Sequence, residues 1–306
     1  MSSATPTTPP APSQVVAAHF ALAGAQVAFA LFPVFGIMVF QPGGLSPLAV
    51  GAWRLTAGAV IICSLALAVH GRTAVPARAD LPRFFIAACL GVGLNQGLYL
   101  EGLARSTPIN AVLVMCLIPV FTVTLAVLAG VEVFSVTRLA GVVIALAGTL
   151  PLLLDHGSFT LGRYGLGNLL MVGNTLSYSG YLIVSKPLLR RYPPLVVIAW
   201  AYAMSLLFVP WFAWGERLAP QAGHAAVWWA LAYIIVFPTV LAYLFNMFAL
   251  ARVPASTTAI YIYAQPLMTG VASWMAFGET PTIAMLIAAP ALFGGIWLVS
   301  RRPQVR

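Results

Sequence analysis

The chain has 306 residues, 61% hydrophobic and 7% charged. A soluble domain carries about 25% charged residues, so this surface cannot face water and its natural solvent is lipid. The net charge of +9 comes from one lysine, Lys186, and fourteen arginines scattered between apolar runs. No basic stripe forms, which excludes nucleic-acid binding and fits the loop bias of a membrane protein.

Residues 1–13 are rich in Ser, Thr, Pro and Ala and lack the positive start of a signal peptide. They read as a short disordered tail, with the run from Val15 as a retained helix. A spanning helix needs about 20 mostly apolar residues. Ten runs meet this, at 15–40, 46–69, 81–103, 108–130, 136–154, 165–188, 194–214, 225–249, 255–278 and 282–300. Short connectors such as Gln41-Pro42-Gly43-Gly44 and Pro193-Pro194 separate them. The alternation of a β-barrel is absent. Cys63, Cys89 and Cys116 lie inside the runs and read as apolar packing residues.

With the N-terminus in the cytoplasm, one side holds Arg72, Arg78, Arg83, Arg138, Lys186, Arg190, Arg191, Arg252, Arg301, Arg302 and Arg306. The other holds Arg105, Arg163 and Arg217. The positive-inside bias predicts an inner-membrane protein with both termini cytoplasmic.

Shifted by 147 residues, the sequence meets itself. Leu103-Ala104-Arg105 lands on Leu250-Ala251-Arg252, Trp53 on Trp200, Pro119 on Pro266, Glu132 on Glu279 and Gly148 on Gly295. The expected fold is an all-α membrane protein of ten transmembrane helices in two five-helix repeats, at 14–156 and 157–302. Five is odd, so the second copy enters the membrane from the opposite side. Inverted repeats mark secondary transporters, which hold their solute near the midplane between the repeats and move by rocking. Pro119 and Pro266 fall mid-span and free the carbonyls of Met115 and Ile262. They are candidate hinges lining a cavity, or plain packing kinks.

These features resemble the drug/metabolite transporter superfamily, in particular its ten-helix EamA-type members, over nearly the whole chain. The pieces that carry the resemblance are Arg54 in Ala52-Trp53-Arg54-Leu55, Asn246 with Ala249-Leu250, the mid-span prolines, and Gly278-Glu279 followed by Gly294-Gly295. The first copy departs slightly, reading Gly130-Val131-Glu132. Within the superfamily the chain looks most like the aromatic amino-acid exporters, which implies export of small zwitterionic solutes, aromatic or other neutral amino acids, with export of other metabolites or drugs as the alternative and a channel or membrane-embedded enzyme as the other classes.

Asp80, Glu101, Glu132, Asp155, Glu216 and Glu279 are the acidic residues, and none sits at a midplane. His19, His70, His156 and His224 lie near span ends. A proton-driven carrier usually places such a group in the pathway, so the pattern favours passive movement of a neutral or zwitterionic solute, with Glu101 kept as a possible titrating group. Arg54 either holds a substrate carboxylate, pairs with Glu101, or snorkels outward. Span 3 offers Asn95, Gln96 and Tyr99, span 6 Asn174 and Tyr178, span 8 Tyr243 and Asn246, and span 9 Tyr261, Tyr263 and Gln265. Asn95, Tyr99, Asn174, Tyr178, Tyr243, Asn246, Tyr263 and Gln265 are the candidate solute contacts. The alternative for each is interhelical hydrogen bonding. Trp211, Trp214, Trp228 and Trp229 read as interface anchors. No Gly-rich phosphate loop, zinc-protease spacing or Gly-x-Ser-x-Gly occurs, so no cofactor and no enzyme activity are expected. The partners are a small solute and the bilayer, and the protein is expected to be a monomer.

Overall fold

A computed structural model of the protein describes residues 11–106, 114–154, 164–277 and 283–300. Among the described residues the chain is helical, with no strand. The ten apolar runs become ten helical spans. Span 1 is Pro12–Ala30 continued by Phe32–Phe40, span 2 is Pro47–His70, and span 3 is Leu81–Ala88 and Leu94–Ala104 joined by a π-helical turn. Span 4 is described from Ile118–Leu128, span 5 is Val136–Leu154 and span 6 is Gly165–Leu189. Span 7 is Pro194–Ser205 and Val209–Ala213, span 8 Ala225–Ile234 and Ala242–Leu250, span 9 Ala255–Ile260 and Ala264–Phe277, and span 10 Ile283–Ser300. Five of these stretches are long and apolar enough by themselves to cross a membrane: Pro12–Ala30, Pro47–Ala74, Arg78–Gly102, Pro194–Ala213 and Ala225–Leu250. Gly278, Glu279 and the tail to Arg306 fall outside the described residues, as do Asp155, His156 and Arg163.

Packing obeys the repeat. Span 3 lies on span 6, and its counterpart span 8 lies on span 1. Span 4 lies on span 6 and span 9 on span 1. Span 7 meets span 3 and span 2 meets span 8. Spans 2 and 7, 4 and 9, and 5 and 10 pair with their own counterparts, as elements beside a two-fold axis must. Loop contacts confirm the inversion. At the face where span 1 begins, here the near face, Asp80 of the 2–3 loop accepts from Arg191 Nη1 (2.6 Å) and from the Tyr192 hydroxyl (2.7 Å). At the far face, the equivalent 7–8 loop donates Gln221 N–H to Gly43 O (2.8 Å), and Ser46 Oγ donates to Glu216 (2.5 Å). Burial first, and the hydrogen bond to Asp80 second, push the Tyr192 hydroxyl above its ordinary range. It therefore remains a donor at neutral pH.

The repeated tryptophans close both faces by one device. Trp53 Nε1 donates to Leu218 O across the far face (2.8 Å), and Trp200 Nε1 donates to Ala74 O across the near face (2.7 Å). Each indole N–H satisfies a loop carbonyl of the other repeat. A net hydrogen bond contributes about 1 kcal/mol, roughly fivefold in an opening equilibrium. Trp53→Phe should accelerate backbone hydrogen exchange about fivefold in residues 214–224 and leave 71–80 unchanged, and Trp200→Phe should do the reverse. Exchange rising at both faces in either variant would contradict separate latches.

Ionic contacts cap helix ends at the near face. Glu132 accepts from the Ser256 N–H (3.1 Å) and hydroxyl (2.6 Å) at the start of span 9 and pairs with Arg138 (3.0 Å). The carboxylate thus faces the positive end of the helix dipole. Lys186 donates to the carbonyls of Leu250 and Val253, closing the end of span 8.

Candidate functional site

The helix breaks that position the site are duplicated. A π-helical turn occupies Cys89–Gly93 in span 3 and Ile235–Leu241 in span 8. An offset of 147 carries the first inside the second. Such turns leave carbonyls free, and at membrane depth these must find partners. In span 3, Ser177 Oγ donates to Leu90 O (2.8 Å) and the Tyr243 hydroxyl to Gly91 O (3.1 Å). In span 8, Pro238 cannot donate to Ile234 O, so the Thr239 hydroxyl does, at 2.8 Å. Thr239 Oγ1 in turn accepts Nε–H of Arg54 at 2.8 Å. A proline in one repeat therefore fixes the buried arginine of the other.

Arg54 is 6% exposed. Among the described residues this is its one hydrogen bond, and no carboxylate lies within 4 Å of it. Its guanidinium carbon sits 5.3 Å from the centre of the Phe32 ring, within cation–π range. The hydroxyls of Tyr99, Tyr202 and Tyr243 lie within electrostatic reach of its charge. Tyr202 packs edge-on against Tyr243 with centroids 5.6 Å apart, and Phe29 packs edge-on against Tyr243 at 6.3 Å. Tyr178 and Tyr181 stand 6.0 Å apart. Tyr202, Tyr181 and Tyr243 are buried, while Tyr99 and Tyr178 keep part of their surface accessible. The result is a packed aromatic cluster with a buried cation at its edge.

The structure distributes the other candidates as follows. Asn95 and Asn174 form a reciprocal pair on the 3–6 seam, each amide nitrogen donating to the other's backbone carbonyl at 3.2 and 2.8 Å. Asn246 is buried in span 8. Gln265 Nε2 donates to Gln26 Oε1 across spans 9 and 1 (2.7 Å). The Tyr263 hydroxyl donates to Cys116 O at 2.9 Å. Cys116 is the repeat counterpart of Tyr263, so this bond lies close to the pseudo-two-fold axis. Helical geometry breaks at Cys116 and Leu117 before Pro119 and at Tyr261–Tyr263 before Pro266, so both candidate hinge prolines follow a local break. Glu101 pairs with Arg105, one turn along span 3, and Arg54 turns to Thr239. Glu101 and Arg105 line a far-face cleft of about 430 Å³ with Ser46, Pro47, Leu48, Leu100 and Glu216.

Thr239, Tyr202, Phe32 and Gln26 were not singled out by sequence reasoning. Thr239 adjoins the mid-span Pro238, and Gln26 is the one amide deep in the first span, Gln14 lying at its start. Both signals were there to be used. Tyr202 and Phe32 carried none.

A lipid-facing helical bundle with an inverted two-fold repeat and a buried arginine between its halves has the build of a membrane transporter. Residues 16–154 and 165–301 each match the EamA-like transporter family, and the chain belongs to that family. It is 28% identical over 297 residues to the threonine/homoserine exporter RhtA of Salmonella typhimurium, spanning 92% of this chain and 90% of the relative. It is 26% identical over 259 residues to a probable terminal-alkyne amino-acid exporter of Streptantibioticus cattleyicolor, covering 82% and 85% of the two chains. The uncharacterized transporter YdfC of Bacillus subtilis is 26% identical over 257 residues, 83% of this chain and 81% of that one. One solved crystal structure superposes with a TM-score of 0.78 at 20% identity, covering 93% of this chain and 96% of that chain. It shares the fold.

Proposed function

We propose that the protein exports small zwitterionic solutes, neutral amino acids with aromatic ones among them, by alternating access. The observation that carries this is Arg54, a buried guanidinium with no carboxylate partner among the described residues, set among phenols. A charge at that depth is costly unless it is paired. Its planar fork suits a carboxylate, which can bind it bidentately. The tyrosine and phenylalanine walls suit an apolar or aromatic side chain. Two relatives carry amino-acid export in their names, which supports the same reading.

The solute enters at the near face, which faces the bacterial cytoplasm by its excess of arginine, and leaves at the far face. Rocking breaks one tryptophan latch while the other holds. Asn95–Asn174 and Gln26–Gln265 hold neighbouring spans together during this motion, and Tyr99, Tyr178, Tyr243 and Asn246 border the solute. The bends at Pro119 and Pro266 are where spans 4 and 9 flex. Among the described residues no carboxylate stands beside Arg54, which supports reading the movement as passive, down the solute gradient.

Counterflow of labelled phenylalanine and threonine in proteoliposomes, with and without a pH gradient, tests this. Uptake driven by trans-side substrate alone is expected. Uptake strictly dependent on the pH gradient would contradict passive movement, and no uptake of either would remove amino acids as substrates.

A further inference from the structure

The structure assigns Gln96 as the acceptor for the ammonium group of the solute, an inference that rests on the amino-acid reading above. Gln96 is 3% exposed, and neither its Oε1 nor its Nε2 has a hydrogen-bond partner. A buried amide left unpaired costs several kcal/mol in hydrocarbon. Two neighbouring amide pairs are engaged, Asn95 with Asn174 and Gln265 with Gln26. Gln96 stands apart from that pattern, and a solute explains it.

Position agrees with this. Gln96 lies three residues before Tyr99, so the two share a face of span 3. Tyr99 is one of the phenols within reach of Arg54. Tyr243, another of them, donates to Gly91 on the same helix. Gln96 lies along span 3 between Gly91, which accepts from Tyr243, and Tyr99. In the repeat it is the counterpart of Tyr243 itself.

The chemistry also converges. A zwitterion needs donors for its carboxylate and an acceptor for its ammonium. Arg54 supplies the donors. Thr239, Tyr202 and Tyr243 direct their hydroxyl protons to Ile234 O, Thr239 O and Gly91 O, and Thr239 Oγ1 already accepts from Arg54. Gln96 Oε1 is a buried carbonyl oxygen with no donor, and an amide oxygen is a stronger acceptor than a phenol oxygen. The residue thus sets preference for amino acids over the corresponding carboxylic acids.

The test is ligand-induced thermal stabilisation of the purified full-length protein with L-phenylalanine and with 3-phenylpropionate, which lacks the amine. Wild type should bind phenylalanine about tenfold more tightly, the worth of one charge-assisted hydrogen bond. Gln96→Leu should erase that preference while binding 3-phenylpropionate as wild type does. Its ligand-free melting temperature should equal or exceed wild type, because an unpaired amide has been removed. Gln96→Glu keeps an acceptor and should keep the preference. A tenfold preference that survives in folded Gln96→Leu overturns the inference and leaves the role of Arg54 intact. A lowered ligand-free melting temperature in both variants, with all ligands weakened equally, assigns Gln96 to packing and also overturns it. Wild type that binds neither phenylalanine nor threonine removes the amino-acid reading, and this inference with it.

Discussion

Arg54→Ala should cut phenylalanine counterflow about 100-fold while leaving the folded protein as stable as wild type or more so. The two halves of this result have separate causes. A carboxylate held bidentately by a guanidinium gains two charge-assisted hydrogen bonds, together about 3 kcal/mol, or roughly 100-fold in affinity. The folded protein loses little, because among the described residues Arg54 makes one hydrogen bond, to Thr239, one contact with the Phe32 ring and no ion pair. Removing an unpaired buried charge relieves desolvation. A structural arginine would behave in the opposite way, lowering the melting temperature and disturbing transport of every solute in proportion. Arg54→Lys keeps the charge and loses the fork, so it should retain part of the activity. Transport by Arg54→Ala equal to wild type at equal protein level would remove the arginine from the site.

Much of this architecture was legible in the sequence, because the signals involved are long or duplicated. Ten apolar runs, one offset of 147 and paired prolines required no knowledge of side-chain direction. The tryptophan pair at 53 and 200 coincided at that offset, and each proved to donate to a loop of the other repeat. The site was legible only as a list. Asn95 and Tyr99 are four residues apart and were expected on one face as solute contacts, yet Asn95 is spent on Asn174. Which neighbour a residue on that face meets depends on how the helix is turned. The π-helical turn at Cys89–Gly93 resets this for everything after it, since one extra residue rotates the following face by about 100°. Sequence spacing does not show that rotation. The partner of Arg54 was hidden for a related reason. Thr239 accepts from it because Pro238 leaves Ile234 O without a backbone donor, which is a consequence of backbone geometry 185 residues away.

Gly295→Leu should prevent assembly of the two repeats, and Gly294→Leu should not. The neighbouring glycines are alike in the sequence, and packing separates them completely. Lipid offers no hydrophobic drive for one helix to prefer another, so spans associate where small residues allow backbones to approach. Spans 5 and 10 approach closely at Gly141 and Gly295. A Cβ at position 295 would lie 2.6 Å from Gly141 O and 2.6 Å from the Ala145 Cβ, and one at position 141 would lie 2.8 Å from Gly295 O. Two of these three obstacles are backbone oxygens, which cannot swing aside as a side chain can. At Gly294 nothing lies within 4 Å of the added atom. A leucine at 295 forces the helices apart along a seam that joins one repeat to the other, at a cost beyond the roughly 1–3 kcal/mol of ordinary overpacking. Size-exclusion profiles and thermal unfolding of the two variants in detergent provide the check. Gly295→Leu should aggregate or melt many degrees below wild type, while Gly294→Leu should elute and melt as wild type does. Equal behaviour of the two would mean that spans 5 and 10 are not in backbone contact. The order of the pair would then carry no information about which face of span 10 meets the other repeat.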